Sequence, residues 1–360
     1  MIPDYAGRRT RALDAAQVVD VDALLVTDLV NVRYLTGFSG SNAALALAPG
    51  GPVLVTDRRY EDQAAQECPG LDVVLERDAA LGALRVLGGS GAAAVAIEAD
   101  VMPVAQFHRL SAIDGAPALR PESALVSPLR RVKDAYEVSC LEEACRIAVE
   151  ALVALTEEVR PGVSEQALAG RYEQLLRDCG ADDRAFPSIV ASGPNSAIPH
   201  HVPTTRPLER GDLLVIDVGA SVRGYHSDMT RTFVVAADPS ADQSRLHDAV
   251  AGAATAALGA LGPGVPAKQP YAAALESLAA HGLGDRFTHG LGHGVGLEVH
   301  EAPIMSATSA ATIVAGDVLT IEPGAYLPGF GGVRIEDTVV VAETGNRFLT
   351  DLSRECGRLG

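Results

Sequence analysis

Two acidic residues stand where buried strands are expected to end. Asp217 follows the apolar run LLVI, and Glu322 follows the run VLTI. β-Branched residues in such short runs favour strands, and a carboxylate at the end of a buried strand costs several kcal/mol when it has no partner. Each acid alone could simply begin a turn before the glycine that follows. Two acids in matching positions weaken that explanation.

The segments around these acids form an internal repeat. Residues 211–220 read GDLLVIDVGA and residues 316–325 read GDVLTIEPGA, so the two decapeptides align without a gap. They are preceded in the same order by RPGV at 160–163 and GPGV at 262–265. Such a repeat is first an architectural signal. It predicts two similar halves that face one another, each built from helices followed by a hairpin.

Each repeat is followed by a second acid on an expected strand. Asp228 lies in YHSDMTRTFVV, and Glu336 lies in VRIEDTVVV. Turns at Arg223-Gly224 and near Pro328-Gly329 would give each half a hairpin that presents two acids toward one point. Because side chains alternate along a strand with period two, Arg334 shares the face of Glu336. The two hairpins therefore predict a cluster of four carboxylates.

Four carboxylates at one point cannot all stay ionised without a nearby cation. A metal cluster meets this requirement, whereas burial alone does not. The Gly-rich stretch THGLGHGVGLEVHEAP, residues 288–303, supplies imidazoles, and the glycines around His293 would let its backbone approach a metal. One imidazole and four carboxylates carry a charge of about −4, which two divalent ions balance. This oxygen-rich set suits Mn²⁺ or Co²⁺, with Zn²⁺ also possible.

The elements that position these groups begin after Pro128. Residues 134–159 carry apolar side chains at helical spacing and predict a long first helix, ended by Arg160-Pro161-Gly162. Helical segments and acid-bearing hairpins follow it. We therefore expect an α+β C-terminal domain, residues 128–360, with two pseudo-symmetric halves.

The chain before Pro128 has a different pattern. Residues 21–57 alternate apolar runs with turn signals, as DALLVTD, NVRYLTGFSGSNAALALAPGG and PVLVTD, and these runs predict strands. Further apolar runs lie at 71–75 and 93–98, with helical stretches between them. This pattern predicts an α/β N-terminal domain, residues 1–127.

The composition argues against several classes of function. The formal net charge of −17 makes nucleic acid a poor partner. The N-terminus has no apolar h-region, and no long window is free of charges and breakers, so we expect neither a signal peptide nor a membrane partner. The five cysteines are scattered without C-x-x-C, which is typical of reduced thiols. We therefore expect a cytoplasmic protein.

Taken together, DVG followed by SDMTRTF, HGLGHGVGLEVHEAP, IEPGAY and GVRIEDT resemble the pita-bread metallopeptidases. Within that family the chain is similar to the Xaa-Pro peptidases, which are aminopeptidase P and the Xaa-Pro dipeptidases (prolidases). Residues 21–57 resemble the creatinase-type N-terminal domain of these enzymes. The resemblance covers the whole chain. It implies a homodimer that hydrolyses the bond between an N-terminal residue and a following proline, in dipeptides or short peptides.

The resemblance also implies residue roles. Asp217 would bind one metal ion, His293 and Glu322 would bind the second, and Asp228 and Glu336 would bridge both. Glu322 would accept or relay a proton, and a histidine would donate a hydrogen bond to the developing oxyanion. The catalytic residues that it implies are Glu322, which is also a ligand, and His289, His300, His200 and Arg334 around the ligands.

Several alternatives stay open at this point. A creatinase-like amidinohydrolase and a non-enzymatic binding protein could share the fold, although both would be marked by lost metal ligands, and every ligand position here is filled. Methionine aminopeptidase normally lacks such an N-terminal domain. Within the Xaa-Pro class, a dipeptidase needs a cation for the C-terminal carboxylate of its substrate. Arg33, Arg206 and Arg223 could supply it, so the choice between dipeptidase and aminopeptidase P stays open.

Overall fold

The computed structural model describes residues 3–360 of the chain. They form two compact units that meet in sequence between Arg130 and Arg131. The proposed domain division after residue 127 falls at a short 3₁₀ helix, Ser127–Arg130, which ends the first unit. Within residues 3–360, no helix combines the length and the apolar character that crossing a bilayer requires.

The first unit is a mixed sheet flanked by helices. Its strands are β1 Leu24–Val26, β2 Ala43–Ala48, β3 Gly51–Thr56, β4 Asp72–Leu75, β5 Ala94–Glu98 and β6 Ala118–Glu122. Its helices are α1 Tyr5–Val18, α2 Leu29–Thr36, α3 Glu61–Glu67, α4 Ala79–Gly89 and α5 Val104–Ser111. The strand order is β4-β3-β2-β1-β5-β6, and β2 runs antiparallel to both of its neighbours. The α/β class expected for this part of the chain is confirmed.

One predicted strand in this unit is wrong. The segment NVRYLT belongs to helix α2. Asp28 caps the start of this helix by accepting a hydrogen bond from the backbone N–H of Asn31, and Gly37 ends it in the left-handed region with a φ of 86°. These two caps outweigh the weak strand preference of a short segment with β-branched and aromatic residues. The other apolar runs form β1 to β5, as predicted.

The second unit contains two similar halves. Its helices are α6 Ala135–Thr156, α7 Glu165–Asp178, α8 Ala241–Gly259 and α9 Lys268–Ala280. Its strands are β7 Asp183–Arg184, β8 Ile189–Ser192, β9 Leu213–Val218, β10 Ala220–Val222, β11 Tyr225–His226, β12 Met229–Val235, β13 Gly292–Gly294, β14 Glu301–Met305, β15 Val318–Ile321, β16 Gly324–Leu327, β17 Gly331–Arg334, β18 Asp337–Val341, β19 Asn346–Phe348 and β20 Arg358–Leu359.

Each half packs a pair of helices on its own sheet. The first combines α6 and α7 with the sheet β20-β12-β9-β8, and the second combines α8 and α9 with the sheet β14-β13-β15-β18-β19. Leu152 and Ile216 belong to the apolar core of the first half, and Val250 and Leu319 belong to the core of the second. The α+β class and the two pseudo-symmetric halves that the repeat predicted are confirmed.

Both hairpins turn where the sequence predicted, although Asp228 lies directly before β12 and Glu336 lies between β17 and β18 instead of within a strand. In the first half β9 pairs with β12 so that Asp217 lies opposite Thr230, and the chain turns at Arg223 and Gly224, whose φ angles are 50° and 78°. In the second half β15 pairs with β18, and the turn contains Gly329 at a φ of 81°. The halves are joined at Glu336, whose N–H donates to the carbonyl of Thr230 at 3.0 Å.

Candidate metal centre

The five predicted ligands line one cavity of about 500 Å³ in the second unit. Asp228, His293 and Glu336 each offer a ligand atom, and these three atoms lie within 4.8 Å of one another. The Nε2 atom of His293 also lies 3.5 Å from Oε1 of Glu322 and 3.7 Å from Oδ2 of Asp228. Four of the five predicted ligands therefore gather around one imidazole nitrogen.

The fifth predicted ligand, Asp217, lies in the same cavity with an additional partner. Its Oδ2 atom accepts a hydrogen bond from Nη2 of Arg334 at 2.5 Å. Its Oδ1 atom is buried and has no hydrogen-bond partner among the described residues, and the same holds for Oε1 of Glu336. Buried carboxylate oxygens without donors are costly, so these two atoms point to a cation as their missing partner.

The carboxylates strongly disfavour each other's ionisation. Burial, followed by the charges of Asp217 and Glu322, raises the pKa of Asp228 well above its usual range. Burial and the charge of Asp228 do the same to the pKa of Glu336. Burial raises the pKa of Glu322 to about 8, although Arg334 opposes this rise. A cluster of acids that retain protons at neutral pH is what closely spaced carboxylates become when no cation is bound.

The imidazole of His293 is suited to bind a metal. Burial lowers the pKa of His293 to about 4, so its ring is neutral at physiological pH. Its Nδ1 atom lies 3.0 Å from the carbonyl oxygen of Gly294 and is assigned as the donor, because a carbonyl only accepts. The Nε2 atom then carries a lone pair directed at the carboxylates. Four carboxylates with one neutral imidazole nitrogen match the oxygen-rich donor sets of divalent metals.

Arg334, predicted as a catalytic residue, is the buried cation of this cluster. Besides Asp217, it donates to Oγ1 of Thr230 at 3.1 Å, to Oη of Tyr326 at 2.9 Å and to the carbonyl oxygen of Pro199 at 3.2 Å. Thr230 in turn donates to Oε2 of Glu336 at 2.8 Å. Arg334 therefore fixes the orientation of one predicted ligand directly and of another through Thr230.

Sequence reasoning missed Tyr326, which joins two predicted site residues. Its hydroxyl lies 2.9 Å from Nε2 of His289 and accepts from Arg334. The Nδ1 atom of His289 lies 2.8 Å from the carbonyl oxygen of Gly290, and burial lowers the pKa of this histidine to about 4. Both ring nitrogens of a neutral His289 are therefore engaged. The only sequence signal for Tyr326 was its place in IEPGAY, directly after the acid of the second repeat.

The other predicted histidines have different surroundings. His200 and His300 are exposed and line the cavity, and the ring of His300 packs 4.4 Å from that of His293, centroid to centroid. His201, the neighbour of His200, is buried, and its Nε2 atom lies 2.9 Å from Oε2 of Glu165. His200 and His300 are thus accessible to a bound ligand, and the side chain of His201 is held by an internal carboxylate.

The cavity walls beyond the acids are largely apolar, with Phe186, Ile189, Val299 and Ile304 among the lining residues. Arg334 is the one arginine or lysine among the described residues that line it. Two arginines considered for binding a substrate carboxylate are engaged elsewhere in the second unit. Arg206 forms an ion pair with Asp212 at 2.6 Å, and Arg223 lies 3.6 Å from the sulfur of Cys140. The third, Arg33, belongs to the first unit.

Each part of the chain matches a known protein family of its own. Residues 139–343 match metallopeptidase family M24, and residues 8–132 match the creatinase/prolidase N-terminal domain. A protein named Xaa-Pro dipeptidase from Pyrococcus furiosus is 36% identical over 340 residues, which cover 93% of this chain and 95% of that protein.

Solved structures extend the similarity to the whole fold. A structure named Xaa-Pro dipeptidase from Bacillus anthracis superposes with a TM-score of 0.94 at 32% identity, covering 99% of this chain and 100% of that one. A structure named X-Pro aminopeptidase from Thermotoga maritima gives 0.91 at 32% identity, covering 98% and 99%. The chain therefore belongs to metallopeptidase family M24, with a creatinase-like N-terminal domain followed by a pita-bread domain that carries the acid cluster.

Proposed function

We propose that the protein is a Xaa-Pro peptidase that depends on two divalent metal ions, Mn²⁺ in the first place and Co²⁺ or Zn²⁺ as alternatives. The observation that carries this proposal is the cluster of acids around the unprotonated Nε2 atom of His293. The residues that would hold the ions are Asp217, Asp228, His293, Glu322 and Glu336. When bound, the ions would supply Lewis acidity and an activated water for attack on an amide carbonyl.

The surrounding residues have roles that follow from their contacts. Glu322 borders the cavity, with 19% of its side chain exposed, so its carboxylate is placed to accept a proton and return it. Arg334 and Tyr326 keep Asp217 and His289 in fixed orientations. His200 and His300 are the accessible imidazoles that can contact the substrate or donate to the developing oxyanion.

Proline specificity is supported by the names of the similar proteins and is compatible with the walls of the cavity. A prolyl amide has no N–H, so a site can select it by shape and by lacking an acceptor for that hydrogen. The apolar walls suit a pyrrolidine ring. Because the cavity-lining residues of the second unit hold only Arg334 as a strong cation, we expect cleavage of Xaa-Pro peptides longer than dipeptides in addition to dipeptides.

The test is hydrolysis of Ala-Pro, Ala-Pro-Ala and Ala-Ala-Ala by protein stripped of metal and then resupplied with Mn²⁺. Cleavage of both proline peptides, with Ala-Ala-Ala intact, is the expected result, and cleavage of Ala-Pro alone would assign a strict dipeptidase. Asp217→Ala and His293→Ala should lose activity together with bound metal, counted by elemental analysis. Full activity in either variant would refute the ligand assignment.

The non-enzymatic alternative has its own outcome in this assay. If no divalent metal supports cleavage of any of the three peptides, the proposal is wrong and the non-enzymatic alternative moves ahead of the peptidase. Cytoplasmic location and a homodimer remain predictions from the sequence. Light scattering of the purified protein tests the second of them.

A further inference from the structure

Glu165, the first residue of α7, is a fully buried carboxylate outside the predicted site. Among residues 3–360, the hydrogen bonds to its oxygens come from residues 192–204, a segment 27 to 39 positions further along the chain. No pattern in the sequence singled it out. Its partners nevertheless lie on both sides of the segment that brings His200 to the cavity.

Each carboxylate oxygen holds one end of this segment. Oε1 accepts from the backbone N–H of Ser192 at 2.8 Å, from its hydroxyl at 2.8 Å and from the side-chain amide of Asn195 at 3.0 Å. Oε2 accepts from the N–H of Thr204 at 3.0 Å and from its hydroxyl at 2.7 Å, and it lies 2.9 Å from Nε2 of His201. Hydrogen bonds to an ionised acceptor are among the stronger ones in proteins.

The carboxylate is ionised in this setting. Burial alone would favour the neutral form, but the hydrogen bonds from Asn195, His201, Thr204 and Ser192 prevail and lower the pKa of Glu165 to about 2. Its place in the first turn of α7 also favours a negative charge, because backbone N–H groups point toward that end of the helix. A neutral replacement would therefore lose much of what holds the segment.

The first part of the segment has a further anchor at Ser196, whose hydroxyl accepts from the N–H of Gly332 at 2.9 Å, whereas the part around His200 carries exposed apolar side chains. Ile198 is 50% exposed and Val202 is 77% exposed, so these apolar side chains add little packing. Between the two ends lie Pro199, whose carbonyl oxygen accepts from Arg334, and His200, which lines the cavity. His201 also lines the cavity, but its Nε2 atom is engaged by Glu165, so the exposed His200 is the imidazole of this pair that is free to contact a bound ligand.

We propose that Glu165 is a positioning residue: its carboxylate clamps both ends of residues 192–204 and thereby orients His200 and the carbonyl of Pro199 at the cavity. The proposal rests on the proposed function in one respect, which is that His200 contacts the substrate. It assigns a catalytic consequence to a residue that is not among the described residues lining the cavity.

The experiment compares Glu165→Gln with Ser164→Ala in the full-length, metal-loaded protein. Ser164 caps the same helix by accepting from the N–H of Ala167, so its loss weakens α7 without touching the segment. Hydrogen exchange read by mass spectrometry should show faster exchange of residues 193–204 in Glu165→Gln only. Unchanged exchange there would overturn the clamp, whatever the activity.

A double-mutant cycle with His200→Ala tests the catalytic consequence on Ala-Pro-Ala. Glu165→Gln alone should lower kcat/KM about 10-fold, as expected for misplacing one substrate contact. In the His200→Ala background the same change should have less than about a twofold effect, because the contact is already absent. A merely structural role would reduce the active fraction by the same factor in both backgrounds, and that result would overturn the proposal.

The two levels of inference fail separately. If the wild-type protein cleaves no Xaa-Pro peptide, the proposed function is wrong and the exchange experiment alone judges the clamp. If the wild-type protein cleaves the peptide and the cycle is additive, the proposed function stands and the positioning role is wrong.

Discussion

Replacing Glu322 with glutamine should stabilise the metal-free protein, although Glu322 is one of the proposed metal ligands. In the unfolded chain this carboxyl ionises at its ordinary pKa of 4.5, whereas the folded protein raises the pKa to about 8. The folded state therefore keeps a proton that the unfolded state releases. The stabilisation that this protonated carboxyl gives the folded protein is fully present below pH 4.5 and is lost progressively as the pH rises toward 8.

The size of the effect follows from these two pKa values. Each pH unit between them costs about 1.4 kcal/mol, so the loss at pH 7.5 amounts to roughly 4 kcal/mol, and at pH 5 it is below about 1 kcal/mol. A glutamine has no proton to release, so Glu322→Gln should recover most of this amount at pH 7.5. Bound metal should reduce this difference, because a ligand at 100 times its Kd adds about 2.7 kcal/mol to the stability of the protein that binds it.

The assay is urea unfolding of chelator-treated protein at pH 5 and pH 7.5, with and without Mn²⁺. The chain has no tryptophan, so circular dichroism is the suitable signal. Glu343→Gln, which changes an exposed glutamate of the second unit, serves as the control and should leave the unfolding free energy unchanged. Metal-free Glu322→Gln that is no more stable than wild type at pH 7.5 would refute the argument that burial of Glu322 in the acid cluster raises its pKa.

Three further changes test other parts of the structure. Arg231→Met should lower the unfolding free energy measured in urea by about 3–5 kcal/mol. Arg231 is buried, pairs with Asp337 at 2.7 Å and donates to four backbone carbonyls. Gly219→Ala should cost at least about 2 kcal/mol and weaken Mn²⁺ binding in a titration, since its new Cβ would lie 2.0 Å from the carbonyl oxygen of Ser227 within the first acid hairpin. Burial raises the pKa of Glu98 to about 7, so the unfolding free energy of the first unit should fall by about 3 kcal/mol between pH 4.5 and pH 7. Glu98→Gln should flatten this pH dependence in urea unfolding.

The acid cluster could be predicted because the signals that specify it are local. Strand alternation and two glycine-containing turns determine which way Asp217 and Asp228 point, and the repeat transfers the same logic to Glu322 and Glu336. The helix at 29–36 was missed for an equally local reason, since the caps at its two ends decided the structure of a segment whose composition favoured a strand.

The partners of these residues could not be predicted, because they come from distant parts of the chain. Arg334 reaches Asp217 across 117 positions, and Glu165 reaches Thr204 across 39. The alternation of side chains along a strand indicates that an arginine shares a face with an acid, but it does not indicate which oxygen the guanidinium contacts. Tyr326 was missed because a single tyrosine in a hairpin is more often a packing residue.

The position of the cluster links metal binding to the joining of the two halves. Asp217 and Asp228 belong to the first half, whereas His293, Glu322 and Glu336 belong to the second, so each half alone holds only part of the donor set. In the metal-free protein Arg334 of the second half offsets the charge of Asp217 of the first, and protons carried by the acids with raised pKa values offset the rest. Metal ions would replace those protons with a stronger attraction between the halves. The acids of the two halves thus meet at one place, where a bound cation would contact both halves.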